Sequence, residues 1–138
     1  MLPEWPEGTV LVLVTVGDRP HAIPVSAAVR TGGRRVLLGL ASSRGSLARL
    51  RRDPRAALAI AAAGDVAVTA YGTARVLSDD LVQGVAAIEF FVDEIQDHNR
   101  PTFVIEAGVR WRWTDAEAEA RDAEVRRALA RLASDSRH

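Results

Sequence analysis

Neither lysine nor cysteine occurs among the 138 residues of this chain. Without lysine there is no Schiff-base chemistry and no P-loop lysine, and arginine, which supplies all 18 basic side chains, must hold any anion. Without cysteine there is no disulfide framework, no thiolate nucleophile and no cysteine-ligated zinc or iron–sulfur centre. An excess of charge is also missing: 18 acidic residues balance the basic ones, so no overall field draws the chain to nucleic acid or an anionic membrane. No apolar run reaches membrane-spanning length, and Met1 to Gly8 (MLPEWPEG) lacks the basic and apolar regions of a secretory signal. The expectation is a cytoplasmic protein. A Gly-x-Ser-x-Gly elbow, a His-Glu-x-x-His helix, a Walker loop and a Gly-x-Gly-x-x-Gly turn are all absent, which leaves hydrolase, zinc-protease, nucleotide-hydrolase and Rossmann readings unsupported.

What is present suits one domain over 1–138, with 48% hydrophobic residues and enough length to bury about two-thirds of its unfolded surface. Thr9 to Val16 is β-branched and short, so it reads as a strand buried on both faces. Gly17 to Pro20 turns the chain, and His21 to Arg30 makes a second strand, in which Pro24 favours an edge or a bulge. After Thr31-Gly32-Gly33, a third strand runs from Arg35 to Leu40. A short helix then carries Leu47 and Leu50 and ends at Asp53-Pro54. Arg55 to Ala62 and Val66 to Leu77 read as strands joined by a tight turn at Ala63-Gly64-Asp65.

Ser78-Asp79-Asp80 offers helix-capping acceptors, and Leu81, Val85, Ile88 and Val92 follow at helical spacing, so a helix is expected there. Thr102 to Trp113 alternates Val109, Trp111 and Trp113 with Arg110 and Arg112, the pattern of a half-exposed strand. From Thr114-Asp115 a last helix, about 115–133, carries Ala118, Val125, Leu129 and Leu132 on one stripe, and Ser134 to His138 should fray. Strands outnumber helices and most connections between strands are hairpin-length. An antiparallel, mainly β barrel with peripheral helices is the expected architecture.

Several short stretches, in order, carry a family likeness: Arg19-Pro20-His21 before the second strand, Pro24-Val25 within it, Leu50-Arg51-Arg52-Asp53-Pro54-Arg55 after the third, and Tyr71-Gly72-Thr73-Ala74-Arg75-Val76 in the fifth. With these the chain resembles the FMN-binding split-barrel family of pyridoxamine 5′-phosphate oxidase over about residues 8–113. The resemblance implies a six-stranded antiparallel split β-barrel (Greek-key), a homodimer, and FMN-dependent oxidoreductase chemistry on an unassigned substrate. It also implies a flavin phosphate held by the loop after the third strand. The matching loop is Ser42 to Ser46, where a serine-rich turn entering a helix presents backbone donors and a positive dipole end beside Arg44. The family commonly places a lysine eight residues before the helix-ending proline and a threonine at the end of the third strand. Ser46 and Leu40 stand there instead, leaving Ser42, Ser43, Arg44 and Arg49, with Ser46 itself, to receive the phosphate.

Val25, Ser26 and Ala27 are the expected bed for the flavin ring, because small residues let a flat ring approach the strand. Trp111 is the aromatic expected to reach it. Each has a plainer role too: the serines as a helix cap, Val25 to Ala27 as core, Trp111 as core or dimer interface. No catalytic side chain stands out. Asp93, Glu94, Asp97 and His98 read as a solvated element end, and no metal site is expected. Two other functions stay open: a split barrel that has lost tight cofactor binding and serves as a small-ligand binding or interaction module, and a deazaflavin-dependent reductase.

Overall fold

Leu11 and Leu13 alternate with Val12 and Val14, and this stretch forms β1 (Leu11–Thr15), the first strand of a curled sheet. The computed structural model describes residues 1–135. Its further elements are β2 (His21–Val25), β3 (Ala28–Arg30), β4 (Arg35–Ala41), α1 (Gly45–Arg52), β5 (Arg55–Ala62), β6 (Val66–Val82), β7 (Val85–Asp97) and α2 (Ala116–Asp135). Every strand pair is antiparallel, in the spatial order β2-β1-β5-β6-β7-β4-β3.

The order holds the key to closure. β2 and β3 are consecutive in the chain yet lie at opposite edges of the sheet, so the sheet curls until its two edges meet. The chain crosses between them at Ser26-Ala27, and the Gly39 amide donates to the Ala27 carbonyl at 2.9 Å across that corner. The result is an antiparallel split barrel with two helices. It has seven strands rather than six because the corner breaks the expected His21–Arg30 strand in two. Pro24 sits in β2 opposite Val12, on an edge strand, where a missing amide donor is tolerated.

Inside the barrel, Leu11, Leu13, Val36, Leu58, Ile88 and Phe90 have no exposed surface. Each such side chain contributes about 1.5–3 kcal/mol by leaving water. α1 adds Leu47 and Leu50 to this core. β4 is apolar on both faces: Val36 and Leu38 point into the barrel, while Leu37 packs with Ala87 under Val125 and Leu129 of α2. α1 ends where the Asp53 amide donates to the Arg49 carbonyl at 2.8 Å. The Arg55 guanidinium and amide hold the Asp53 carboxyl down to about 2.

Two expectations are corrected. Residues 78–92 form no helix; they are the end of β6, a two-residue turn at Gln83-Gly84, and the start of β7. Gly84 takes φ +79°, the left-handed conformation that hairpin turns demand. Leu81, Val85, Ile88 and Val92 fit a helical period, but Ala86, Ile88, Phe90 and Val92 are buried at period two, which is the pattern that prevails. The Ser78 hydroxyl is used locally, accepting from the Asp80 amide at 3.2 Å beside a β-bulge.

Thr102 to Trp113 is the second correction: it alternates like a strand but pairs with none, running instead as an irregular strap outside the barrel. The Ile105 amide donates to Asp65 Oδ1 at 2.6 Å, Asn99 Nδ2 donates to the Asp65 carbonyl, and Trp111 Nε1 donates to the Gly8 carbonyl at 2.9 Å. The sheet position expected for this segment belongs to β7. The last helix lies as expected from Ala116, with Ser134 and Asp135 still helical. The remainder of the expected frayed end, 136–138, falls outside the described residues.

Candidate functional site

The two sheet edges do not seal along their full length. β3 pairs with β4 only at Val36, Leu37 and Leu38. Beyond them, the end of β4 and the edge strand β2 leave a seam, and a cleft of about 370 Å³ opens there. Ile23 to Ala27 form one wall, and Gly39 to Ala41 with Val85 form another. Arg44, the residue capping α1, stands at its margin, and Trp113, Asp122 and Val125 bring the strap and α2 over it.

This cleft unites Val25, Ser26, Ala27 and Arg44, four of the nine residues singled out in the sequence. Trp111 lies in an adjoining hollow with Val10, Pro24, Val25 and Ser26, edge-on to Trp113 at a centroid separation of 5.0 Å. The Val25-Ser26 corner therefore borders both hollows. The other four residues are directed elsewhere. Ser42 donates to the Asp79 carbonyl at 3.4 Å, and Ser43 is exposed. Ser46 is buried, its hydroxyl accepting from Arg49 Nη2 at 3.3 Å, while Arg49 Nε donates to the buried Thr15 hydroxyl at 2.9 Å. Arg49 thus ties α1 to β1, and among the described residues Arg44 is the cation that lines the cleft.

Charge in the cleft comes from two walls. Near Arg44, the first turn of α1 contains no acidic residue, so the dipole of the helix and the guanidinium favour an anion together. Asp122 of α2 also lines the cleft, and burial pushes its carboxyl up. Arg126 Nε lies 2.8 Å from Asp122 Oδ2 without hydrogen-bond alignment, and Arg126 also pairs with Glu7. Small residues, Ser26, Ala27, Gly39 and Ala41, line the cleft between its walls. Gly39 serves packing as well: a Cβ there would come within 2.7 Å of Val125 Cγ1.

Ile23, Gly39, Ala41, Val85 and Asp122 were not foreseen as site residues. Asp122 left a trace, since it falls on the apolar stripe of α2 between Ala118 and Val125. The apolar ones look like core in any sequence. Elsewhere, Glu89 accepts from Arg35 Nε at 2.6 Å and Arg75 Nε at 2.7 Å on the outer face of the sheet. Burial pushes its carboxyl up, but the two guanidinium bonds outweigh that and hold it below the usual range. Asp93, Glu94 and Asp97 lie exposed on β7, and His98 Nε2 is 2.8 Å from the Thr69 hydroxyl. Among the described residues no group of acids and histidines could hold a metal ion, and no helix is long and apolar enough to cross a membrane.

The class so defined is an antiparallel split barrel with a cleft at its seam. No protein-family model and no curated protein matches the sequence. Solved structures match the fold. A candidate pyridoxamine 5′-phosphate oxidase from Listeria innocua superposes with a TM-score of 0.56 at 18% identity, over 67% of this chain and 90% of that one. A second from Lactobacillus delbrueckii gives 0.56 at 18% identity, over 64% and 84%. An FAD-binding protein from Mesorhizobium loti gives 0.53 at 12% identity, over 63% and 83%. The chain therefore has the split-barrel fold of pyridoxamine 5′-phosphate oxidase-like proteins, in agreement with the likeness read from its short motifs.

Proposed function

We propose that this protein is an FMN-dependent oxidoreductase that holds its flavin in the seam cleft. The observation that carries the reading is the convergence of Val25, Ser26, Ala27 and Arg44 on one cleft, within a fold shared with pyridoxamine 5′-phosphate oxidase-like proteins. The residues fit such a group. Small side chains leave room for a flat ring against the corner, and Arg44 with the first turn of α1 offers a guanidinium and backbone donors to one phosphate. When bound, the flavin supplies the redox chemistry, and the protein supplies orientation and a partly dry wall of Val25, Leu40 and Val85. No protein nucleophile is needed.

The same reading makes the protein a cytoplasmic homodimer. Tyr71 and Phe91 stand 42% and 48% exposed on the outer sheet face, aromatic surface that a second copy would cover. A dimeric mass by light scattering is expected, and a monomeric one refutes that part.

Titration of the purified protein with FMN, followed by quenching of flavin fluorescence, tests the cofactor. Saturable binding at one site per chain is expected; no binding at high micromolar FMN refutes the reading. A parallel titration with a deazaflavin coenzyme distinguishes the deazaflavin alternative. One observation favours the other rival, a small-ligand binding module. Ser46 and Arg49 are turned inward, so among the described residues Arg44 is left as the single cation lining the cleft. That rival predicts FMN affinity no tighter than for small aromatic phosphates in general.

A further inference from the structure

The stripe by which α2 packs on the barrel runs through Val125, Leu129 and Ala133, and Asp122 extends it toward the start of the helix, three residues before the first. A carboxylate on an apolar stripe is costly unless something uses it. Its side chain is only 13% exposed, and it lines the seam cleft. Its neighbour Arg126 shares its charge with Glu7 and does not align a hydrogen bond on Asp122, so the carboxylate is only partly compensated. Among the described residues that line the cleft, Arg44 and Asp122 are the charged ones, of opposite sign and on different elements. A ligand seated between them must offer an anion to one and a hydrogen-bond donor to the other.

We infer that Asp122 is a specificity-determining residue that accepts a hydrogen bond from a ring N–H of the ligand whose phosphate lies by Arg44. The inference rests on the flavin reading of the cleft. An ionised carboxylate is an acceptor only, so it selects a donating edge and rejects one that is blocked or anionic. Oxidised flavin carries one ring N–H, at N3, on the side of the ring system away from its phosphate chain.

Fluorescence titrations of the full chain with FMN and with FMN methylated at ring N3 test this. The wild type should bind FMN about tenfold more tightly than the methylated form, the value of one good hydrogen bond to a charged acceptor. Asp122→Ala should bind the two equally, at the affinity the wild type shows for the methylated form. Asp122→Asn, which keeps an acceptor oxygen, should retain the preference. Equal affinities in the wild type, or an undiminished preference in Asp122→Ala, overturn the inference while leaving the flavin reading standing. Failure of the wild type to bind either flavin removes both. The wild-type comparison and the Asn variant decide the matter even if the alanine variant does not fold.

Discussion

The β5-β6-β7 meander and the seam between β2 and β4 are built from the same kinds of residue, yet they do opposite things. In the meander each strand continues into its neighbour through a tight hairpin, registers run for many residues, and polar atoms on its outer face find partners, as Glu89 does between Arg35 and Arg75. At the seam the chain breaks a strand to move from one sheet edge to the other, and a cleft remains where pairing stops. Small apolar residues satisfy each other in the first region and leave vacant surface in the second. The difference is topological, and it shows how an apolar sequence can serve stability in one place and binding in another.

The contrast breaks hardest at Gly72. A Cβ there would overlap the backbone carbonyl of Phe91 on the neighbouring strand, at the bulge in the β6–β7 register. Gly72→Ala should cost about 3 kcal/mol or more, seen as a large fall in the urea midpoint, because backbone cannot yield as a flexible side chain can. A variant as stable as the parent would show that the meander is looser than its register implies.

Two arginines, Arg44 capping α1 and Arg49 within it, sharpen the comparison. Arg44→Ala should weaken FMN binding about 10- to 100-fold by removing a charge-assisted phosphate contact, with the melting temperature unchanged. Arg49→Ala should do the reverse, costing about 1–3 kcal/mol by leaving the buried Thr15 and Ser46 hydroxyls without their partner, with affinity changed less than threefold. Titration and thermal denaturation of both variants check this, and exchanged outcomes would move the anion site from the seam to the β1–α1 junction.

The smallest effect belongs to Glu89→Gln. The folded state holds this carboxyl below its ordinary value, so the ionised form stabilises the fold above the ordinary range, and that contribution is lost as pH falls through the lowered folded value. The variant should be about 1 kcal/mol less stable than the parent near neutral pH, with the gap closing in acid. Denaturation curves across pH measure it; a gap independent of pH would mean that packing rather than charge sets the cost.

Much of the barrel was legible in local pattern. β1, β4 and β5 are short apolar runs and α2 is a long amphipathic stripe, each with clear ends, and Asp53-Pro54 stops α1 where a proline must. The β6–β7 hairpin was missed because Leu81, Val85, Ile88 and Val92 satisfy both periods, and the turn that decides between them rests on one glycine after a glutamine. Thr102 to Trp113 misled for the converse reason: alternation reports two faces, not a partner strand. Of the candidate cleft, the corner was legible through small residues beside a proline, and so was Arg44. Burial of Ser46, the inward turn of Arg49 and the arrival of Asp122 over the seam depend on contacts between distant segments, which no local spacing encodes.

The strap gives one wall of the cleft a remote mooring. Trp113 is reached along a segment without ladder bonds of its own, which is fastened by Asp65 in the β5–β6 turn and by the Gly8 carbonyl. How still the indole stands is therefore set in part at a hairpin tip outside the cleft and at the chain before β1, as the tension of a string is set at its pegs.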